Sequence, residues 1–206
     1  MTYLGLLSAA VTGLLIWKGM LFEAGCVLLF SGLLDLLDGA VARVSGAASN
    51  PFGGILDSTL DRYGDAFVFV GLIFYLFERA AVGYAALAMS ALAGSFVISY
   101  VRARSESAGR PCRVGYWERG ERLVFVSLGL ILANLPAVLW VLGTLTHATV
   151  LYRLACGKDP DCPARLSSAK ASILSRFLFD TRRSRVFYAV KTAFFLVLLL
   201  VFRPPL

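Results

Sequence analysis

Charge is scarce in this chain, and histidine and cysteine are scarcer still. Asp, Glu, Lys and Arg make up only 16% of the 206 residues, there is one histidine, and the four cysteines are scattered without a Cys-x-x-Cys pair. Those shortages argue against a zinc centre and against a disulfide-stapled scaffold. Cys156 and Cys162 bracket a Gly-Lys-Asp-Pro-Asp loop. Facing a reducing compartment they are expected to stay unpaired, and Cys26, inside an apolar run, is expected to pack. The chain also lacks an internal repeat, a nucleic-acid-binding motif and any polar stretch long enough for a separate soluble domain.

Apolar residues fill the space. They account for 58% of the chain, with a mean hydropathy of +0.75, an excess that lipid explains and a water-soluble core does not. Runs over 2–17, 21–44, 52–77, 80–101, 123–135 and 136–154 approach the roughly 20 residues that carry a helix across about 30 Å of hydrocarbon. Asn134-Leu135-Pro136 separates the last two, since proline disfavours helix at the residue before it. The first run has neither a basic stretch ahead of it nor a small-residue cleavage site behind it, and reads as a retained helix rather than a signal peptide. The expectation is therefore an all-α polytopic membrane protein with six transmembrane helices. A further hydrophobic segment at 186–202, interrupted by Lys191, forms a seventh span or an interfacial helix. Residues 1–155 form the membrane domain, and 156–206 combine a basic, serine-rich linker with that last segment.

Basic residues orient the helices. With the end of the second run in the cytoplasm, sixteen Lys and Arg residues fall on the inside and only Lys18 and Arg79 on the outside, a strong positive-inside bias. The net charge of +7 then reflects topology and attraction to anionic lipid, and no nucleic-acid partner is expected.

Acidic residues are concentrated where a membrane protein tolerates them least. Asp35, Asp38, Asp57, Asp61 and Asp65 lie in one stretch at the ends of two apolar runs. Each charge at the centre of a span costs about 2.5 to 3.5 kcal/mol on insertion scales, so water, partners or metal must compensate. Asp35 and Asp38 are three apart, and Asp57 and Asp61 four apart, so each pair shares one helical face. Gly39, Ala42, Gly53 and Gly54 strip the same region of bulk. Four converging carboxylates without Cys or His suit Mg²⁺ or Mn²⁺, and two such ions would stabilise both oxygens of a phosphoryl displacement. Structural salt bridges with Arg43 and Arg62 are the bland alternative, and a divalent cation transporter is the alternative of another class. The single histidine, His147, reads as a hydrogen-bonded packing residue rather than a proton relay.

The segments Asp35-Leu-Leu-Asp38-Gly39-Ala-Val-Ala42-Arg43 and Gly53-Gly-Ile-Leu-Asp57-Ser-Thr-Leu-Asp61 resemble the DxxDGxxAR…GxxxDxxxD signature of the CDP-alcohol phosphotransferase family. All eight signature positions match, with nine residues rather than the usual eight between Arg43 and Gly53. The resemblance implies six transmembrane helices, a two-ion Mg²⁺ or Mn²⁺ site, a CDP-linked lipid donor and release of CMP. By motif position, Asp35, Asp38, Asp57 and Asp61 are metal ligands, with Asp61 also the general base. Gly39, Ala42, Arg43, Ser49 and Gly53 belong to the donor site, and Asp65 stands behind the ligands. The stretches around Ser99 to Glu106 and Trp117 to Arg122 look like those of members that use inositol phosphate. They implicate Ser99, Arg102, Arg119, Arg122 and Arg153 in binding the phosphate of a phosphorylated small alcohol. Glycerol 3-phosphate, serine or another small alcohol are the alternative acceptors. Relatives usually carry a short amphipathic segment ahead of the first span, so nucleotide-base contacts from there are expected to be missing or supplied otherwise. The resemblance further implies a homodimer among membrane lipids, with its active site at the cytoplasmic face.

Overall fold

The computed structural model describes residues 2–44, 51–109, 119–158 and Val197, with side chains described over 3–33, 52–109, 119–156 and at Val197. Six helices follow one another among these residues, with no strand: α1 (Thr2–Trp17), α2 (Leu21–Val44), α3 (Pro51–Glu78), α4 (Val82–Ser107), α5 (Arg119–Ile131) and α6 (Leu135–Lys158). The fold is all-α, and the helices track the apolar runs to within a few residues at most ends. Ser49 and most of the segment at 186–202, Lys191 included, lie outside the described residues.

Three reversals share one device. At Gly19 (φ 80°), Ala80 (φ 55°) and Ala133 (φ 50°) the chain enters the left-handed region. The next N–H then bonds back across the turn, Met20 to the Leu15 carbonyl at 2.9 Å, Ala81 to Leu76 at 3.0 Å and Asn134 to Gly129 at 2.9 Å. This is a Schellman cap, which satisfies carbonyls the helix end leaves open. Alanine in this conformation costs about 1 kcal/mol relative to its right-handed form, a strain the surrounding packing outweighs. The last reversal falls earlier than the predicted Asn134-Leu135-Pro136 turn. It occupies Leu132 to Asn134, and Pro136 sits in the first turn of α6, where its missing N–H breaks no intrahelical bond.

Packing couples α1 to α2 and α3, α2 to α5, α3 to α4, and α6 to α4 and α5. The α1–α3 crossing brings backbones together: a Cβ on Gly71 would strike the Gly13 carbonyl, and one on Gly13 would strike the Phe67 carbonyl. Such an approach is open only to glycine, and it fixes the rotation of α3 about its axis. Leu72, Leu76, Leu130, Leu135, Leu139 and Leu142 fill the interior. Outside, Leu4, Leu7, Phe22, Phe30, Phe74 and Leu151 are each more than half exposed, a surface suited to hydrocarbon rather than water. Val82–Ser107 and Leu135–Cys156 are each long and apolar enough to cross a bilayer, while Tyr3–Trp17 and Leu21–Leu33 are shorter apolar helical stretches. At 13 residues, α5 spans only about 20 Å.

Hydroxyls within the bundle bond to their own helices, Thr12 to the Ser8 carbonyl at 2.8 Å and Thr146 to Leu142 at 2.6 Å, the usual arrangement where water is excluded. His147 shares a 2.9 Å hydrogen bond with the Ser90 hydroxyl, as expected, but its side chain is exposed on the bundle surface rather than packed inside it. Two cysteine expectations are corrected. Cys156 is disulfide-bonded, with its partner outside the described residues, and Cys26 is a free thiol that is exposed rather than packed. Spacing along the chain does not reveal which thiols the fold brings within the roughly 6 Å between Cα atoms that a disulfide needs.

Candidate active site

The first turns of α3 carry a ladder of carboxylates. Asp57 is exposed, Asp61 is partly buried and Asp65 retains only 4% exposure. Their four-residue spacing places all three on one stripe that runs from the accessible end of the helix into the bundle. Gly53 and Gly54 are exposed at the start of the same helix.

Asp65 is the hub. Its Oδ2 accepts from the Ser95 hydroxyl at 3.3 Å, its Oδ1 accepts from Arg119 Nε at 3.3 Å, and Arg122 Nη2 lies 3.8 Å from Oδ2. Arg119 turns its other edge to the ladder, with Nη1 2.8 Å from Asp61 Oδ1. Both arginines stand in the first turn of α5, and Ser95 comes from α4. Ser95 is held there because α4 meets α6 closely at Gly94, where a Cβ would come within 2.6 Å of the Thr146 hydroxyl. Asp65, Ser95, Arg119 and Arg122 line the polar end of a cavity whose other walls include Phe69 and Leu142.

Positive charge exceeds what these carboxylates neutralise. Arg62, Arg119 and Arg153 lie near enough to the Arg122 guanidinium to repel it, and Asp65 supplies the attraction. Among the described residues, the buried Nη1 atoms of Arg62 and of Arg122 have no hydrogen-bond partner. Unsatisfied guanidinium donors among crowded arginines are the local chemistry of an anion site, because an oxyanion would answer both the charge and the open donors. Arg153, 7% exposed, donates to the Ile98 carbonyl at 2.7 Å and ties α6 to α4 beside this cluster.

The expected site residues are thus only partly gathered. Asp61, Arg119 and Arg122 come together, and Arg153 adjoins them. Ser99 instead bonds to the Ser95 carbonyl at 3.1 Å, and exposed Arg102 pairs with Glu106 at 3.0 Å on its own helix. Asp35, Asp38, Gly39, Ala42 and Arg43 belong to α2, but their side chains lie outside the described set. Sequence reasoning missed Ser95, gave Arg62 only as a salt-bridge partner, and set Asp65 behind the ligands without naming what it holds. A period-four continuation from Asp57 through Asp61 was the available signal for Asp65, whereas Ser95 had none beyond standing one turn before Ser99.

Asp57 and Asp61 offer hard oxygen donors on adjacent turns, a donor set that fits Mg²⁺ or Mn²⁺. Among the described residues no group of three or more His, Cys, Asp or Glu side chains converges to hold an ion. The described part of the ladder therefore supplies two of the four expected ligands.

An all-α membrane bundle with a carboxylate ladder beside buried arginines agrees with the comparisons to known proteins. The CDP-alcohol phosphatidyltransferase family profile matches residues 1–153, and the chain belongs to that family. Among curated relatives, phosphatidylinositol phosphate synthase from Mycobacterium tuberculosis is 40% identical over 123 residues, 59% of this chain. That alignment spans 56% of the relative's own length. Archaetidylinositol phosphate synthase from Methanothermobacter thermautotrophicus is 37% identical over 143 residues, covering 66% of this chain and 70% of the relative. The crystal structure of Mycobacterium tuberculosis phosphatidylinositol phosphate synthase with CDP-DAG bound superposes with a TM-score of 0.68 at 34% identity, covering 75% of this chain and 82% of the other. A second structure of that enzyme, in complex with manganese and citrate, gives a TM-score of 0.66.

Proposed function

We propose that this chain transfers a phosphatidyl-type group from a CDP-linked lipid to a phosphorylated small alcohol, inositol phosphate, and releases CMP. The single observation that carries the acceptor assignment is the buried arginine cluster around Asp65, one helical turn from Asp61, with two guanidinium nitrogens that lack a hydrogen-bond partner among the described residues. The related synthases named above supply the reaction class, and their two kinds of lipid product leave a diacyl or an ether-linked donor equally suited.

In this reading Arg119 and Arg122 bind the acceptor's own phosphate, with Arg62 and Arg153 adding charge, and Ser99 and Arg102 stand nearer the entrance. Holding that phosphate presents the acceptor's hydroxyl to Asp61, which takes its proton as the oxygen bonds to the donor phosphorus and the bond to CMP breaks. Gly39, Ala42, Arg43, Ser49 and Gly53 cradle the donor. Asp35, Asp38, Asp57 and Asp61 hold two Mg²⁺ or Mn²⁺ ions, which supply charge neutralisation at the pyrophosphate. The helices form a six-span domain in a homodimer, with this end at the cytoplasmic face.

The test uses purified protein in lipid with CDP-diacylglycerol or its ether-linked counterpart, and compares inositol 1-phosphate, glycerol 3-phosphate and serine as acceptors. CMP release is expected with the inositol ester, only in the presence of Mg²⁺ or Mn²⁺, and is expected to vanish in Asp61→Asn while the protein still folds. Faster turnover with serine than with either phosphate ester would overturn the acceptor assignment.

A further inference from the structure

Arg119 holds two carboxylates with two different edges of one guanidinium. Its Nε faces buried Asp65 at 3.3 Å, and its Nη1 faces the more accessible Asp61 at 2.8 Å. The planar fork lets one contact open while the other keeps the side chain in place. Asp61 is also a carboxylate assigned above to metal, and the positively charged Nη1 edge and a divalent cation compete for its oxygens. Arg119 also lies near enough to the Arg122 guanidinium to repel it, beside the arginine cluster assigned to the acceptor's phosphate.

Resting on that reading of Asp61, we infer that Arg119 is an exchangeable counter-ion that couples the two halves of the site. Without a divalent cation it neutralises Asp61. When a cation takes Asp61, the Nη1 edge is released, Asp65 retains the side chain through Nε, and the freed donors turn to the acceptor's phosphate. Two consequences follow. Arg119 opposes metal binding in the empty enzyme, and metal and phosphate binding favour one another, each by the same factor. The contact also keeps the Asp61 carboxylate from standing unbalanced near the membrane before substrates arrive.

The test measures Mn²⁺ binding by electron paramagnetic resonance on the full chain in lipid nanodiscs, with inorganic phosphate as the probe of the anion site. Arg119→Ala is expected to tighten Mn²⁺ binding roughly 1.5- to fivefold, the range set by losing one partly exposed ion pair. It is also expected to reduce the mutual strengthening of Mn²⁺ and phosphate seen in the unsubstituted chain. Arg122→Ala removes the same charge without touching Asp61, and should tighten Mn²⁺ binding less. Unchanged or weaker Mn²⁺ binding in Arg119→Ala, or an equal gain in Arg122→Ala, overturns the counter-ion role while leaving the metal site standing. An unsubstituted chain that binds no Mn²⁺, or binds it no better than Asp61→Asn, overturns the metal assignment as well. Should Arg119→Ala not fold, Arg119→Lys replaces it. Lysine cannot serve both carboxylates with separate edges, so a smaller gain is expected, and no gain counts against the proposal.

Discussion

A carboxylate with 4% exposure among four arginines is held by mutual need. Burying the Asp65 carboxylate is offset by Arg119 and Arg122, and crowding those guanidiniums is offset by Asp65. Asp65→Asn keeps the shape and the bond to Ser95 but removes the charge, leaving guanidiniums that repel one another. Unfolding in detergent should show a loss of about 3 kcal/mol, the scale for breaking a buried ion pair. Asp57→Asn, at an exposed position, should leave stability nearly unchanged. Because an anion can replace the missing charge, inorganic phosphate should stabilise Asp65→Asn more than the unsubstituted chain. Equal stabilisation of both by phosphate would mean that the cluster does not receive an oxyanion.

Helix contacts decide which side chains meet, and here glycine sets the contacts. Gly71→Val would drive a branched side chain into the backbone of α1, and thermal unfolding should show a loss of more than about 2 kcal/mol, as for severe overpacking. Gly32→Ala enters open space, and should change stability by less than about 1 kcal/mol. The same contacts explain what was legible beforehand. Helix positions could be read because apolar runs are local, and the Asp57–Asp61 pair because a four-residue spacing always shares a face. Ser95 could not, since its meeting with Asp65 depends on how closely α4 approaches α6 at Gly94. Arg102 shares the Ser95 face by period, but it lies seven residues along, about 10 Å nearer the helix end, where Glu106 rather than the buried cluster meets it. The Ala133 turn was misplaced by a residue or two because a left-handed alanine carries no compositional mark.

Across the whole molecule, the three tight reversals at Gly19, Ala80 and Ala133 fall at one end of the bundle, opposite the α3 carboxylates and the first turn of α5. That separation matches the distribution of basic residues, which spares the Lys18 and Arg79 turns and loads the other end. On the proposed function, the active site must open where water-soluble phosphate esters are, while the lipid donor arrives through the bilayer. The carboxylate end is therefore expected to face the cytoplasm, as the positive-inside bias requires. Single Ala108→Cys and Ala80→Cys variants, both at exposed positions, test this in sealed inverted vesicles with a membrane-impermeant maleimide. Labelling above the background of the unsubstituted chain should appear at Ala108→Cys without permeabilisation, and at Ala80→Cys only after it. The reverse pattern would place the carboxylate ladder on the outer face. It would then separate the proposed site from cytoplasmic phosphate esters, and the acceptor assignment would fail even with the metal ligands intact.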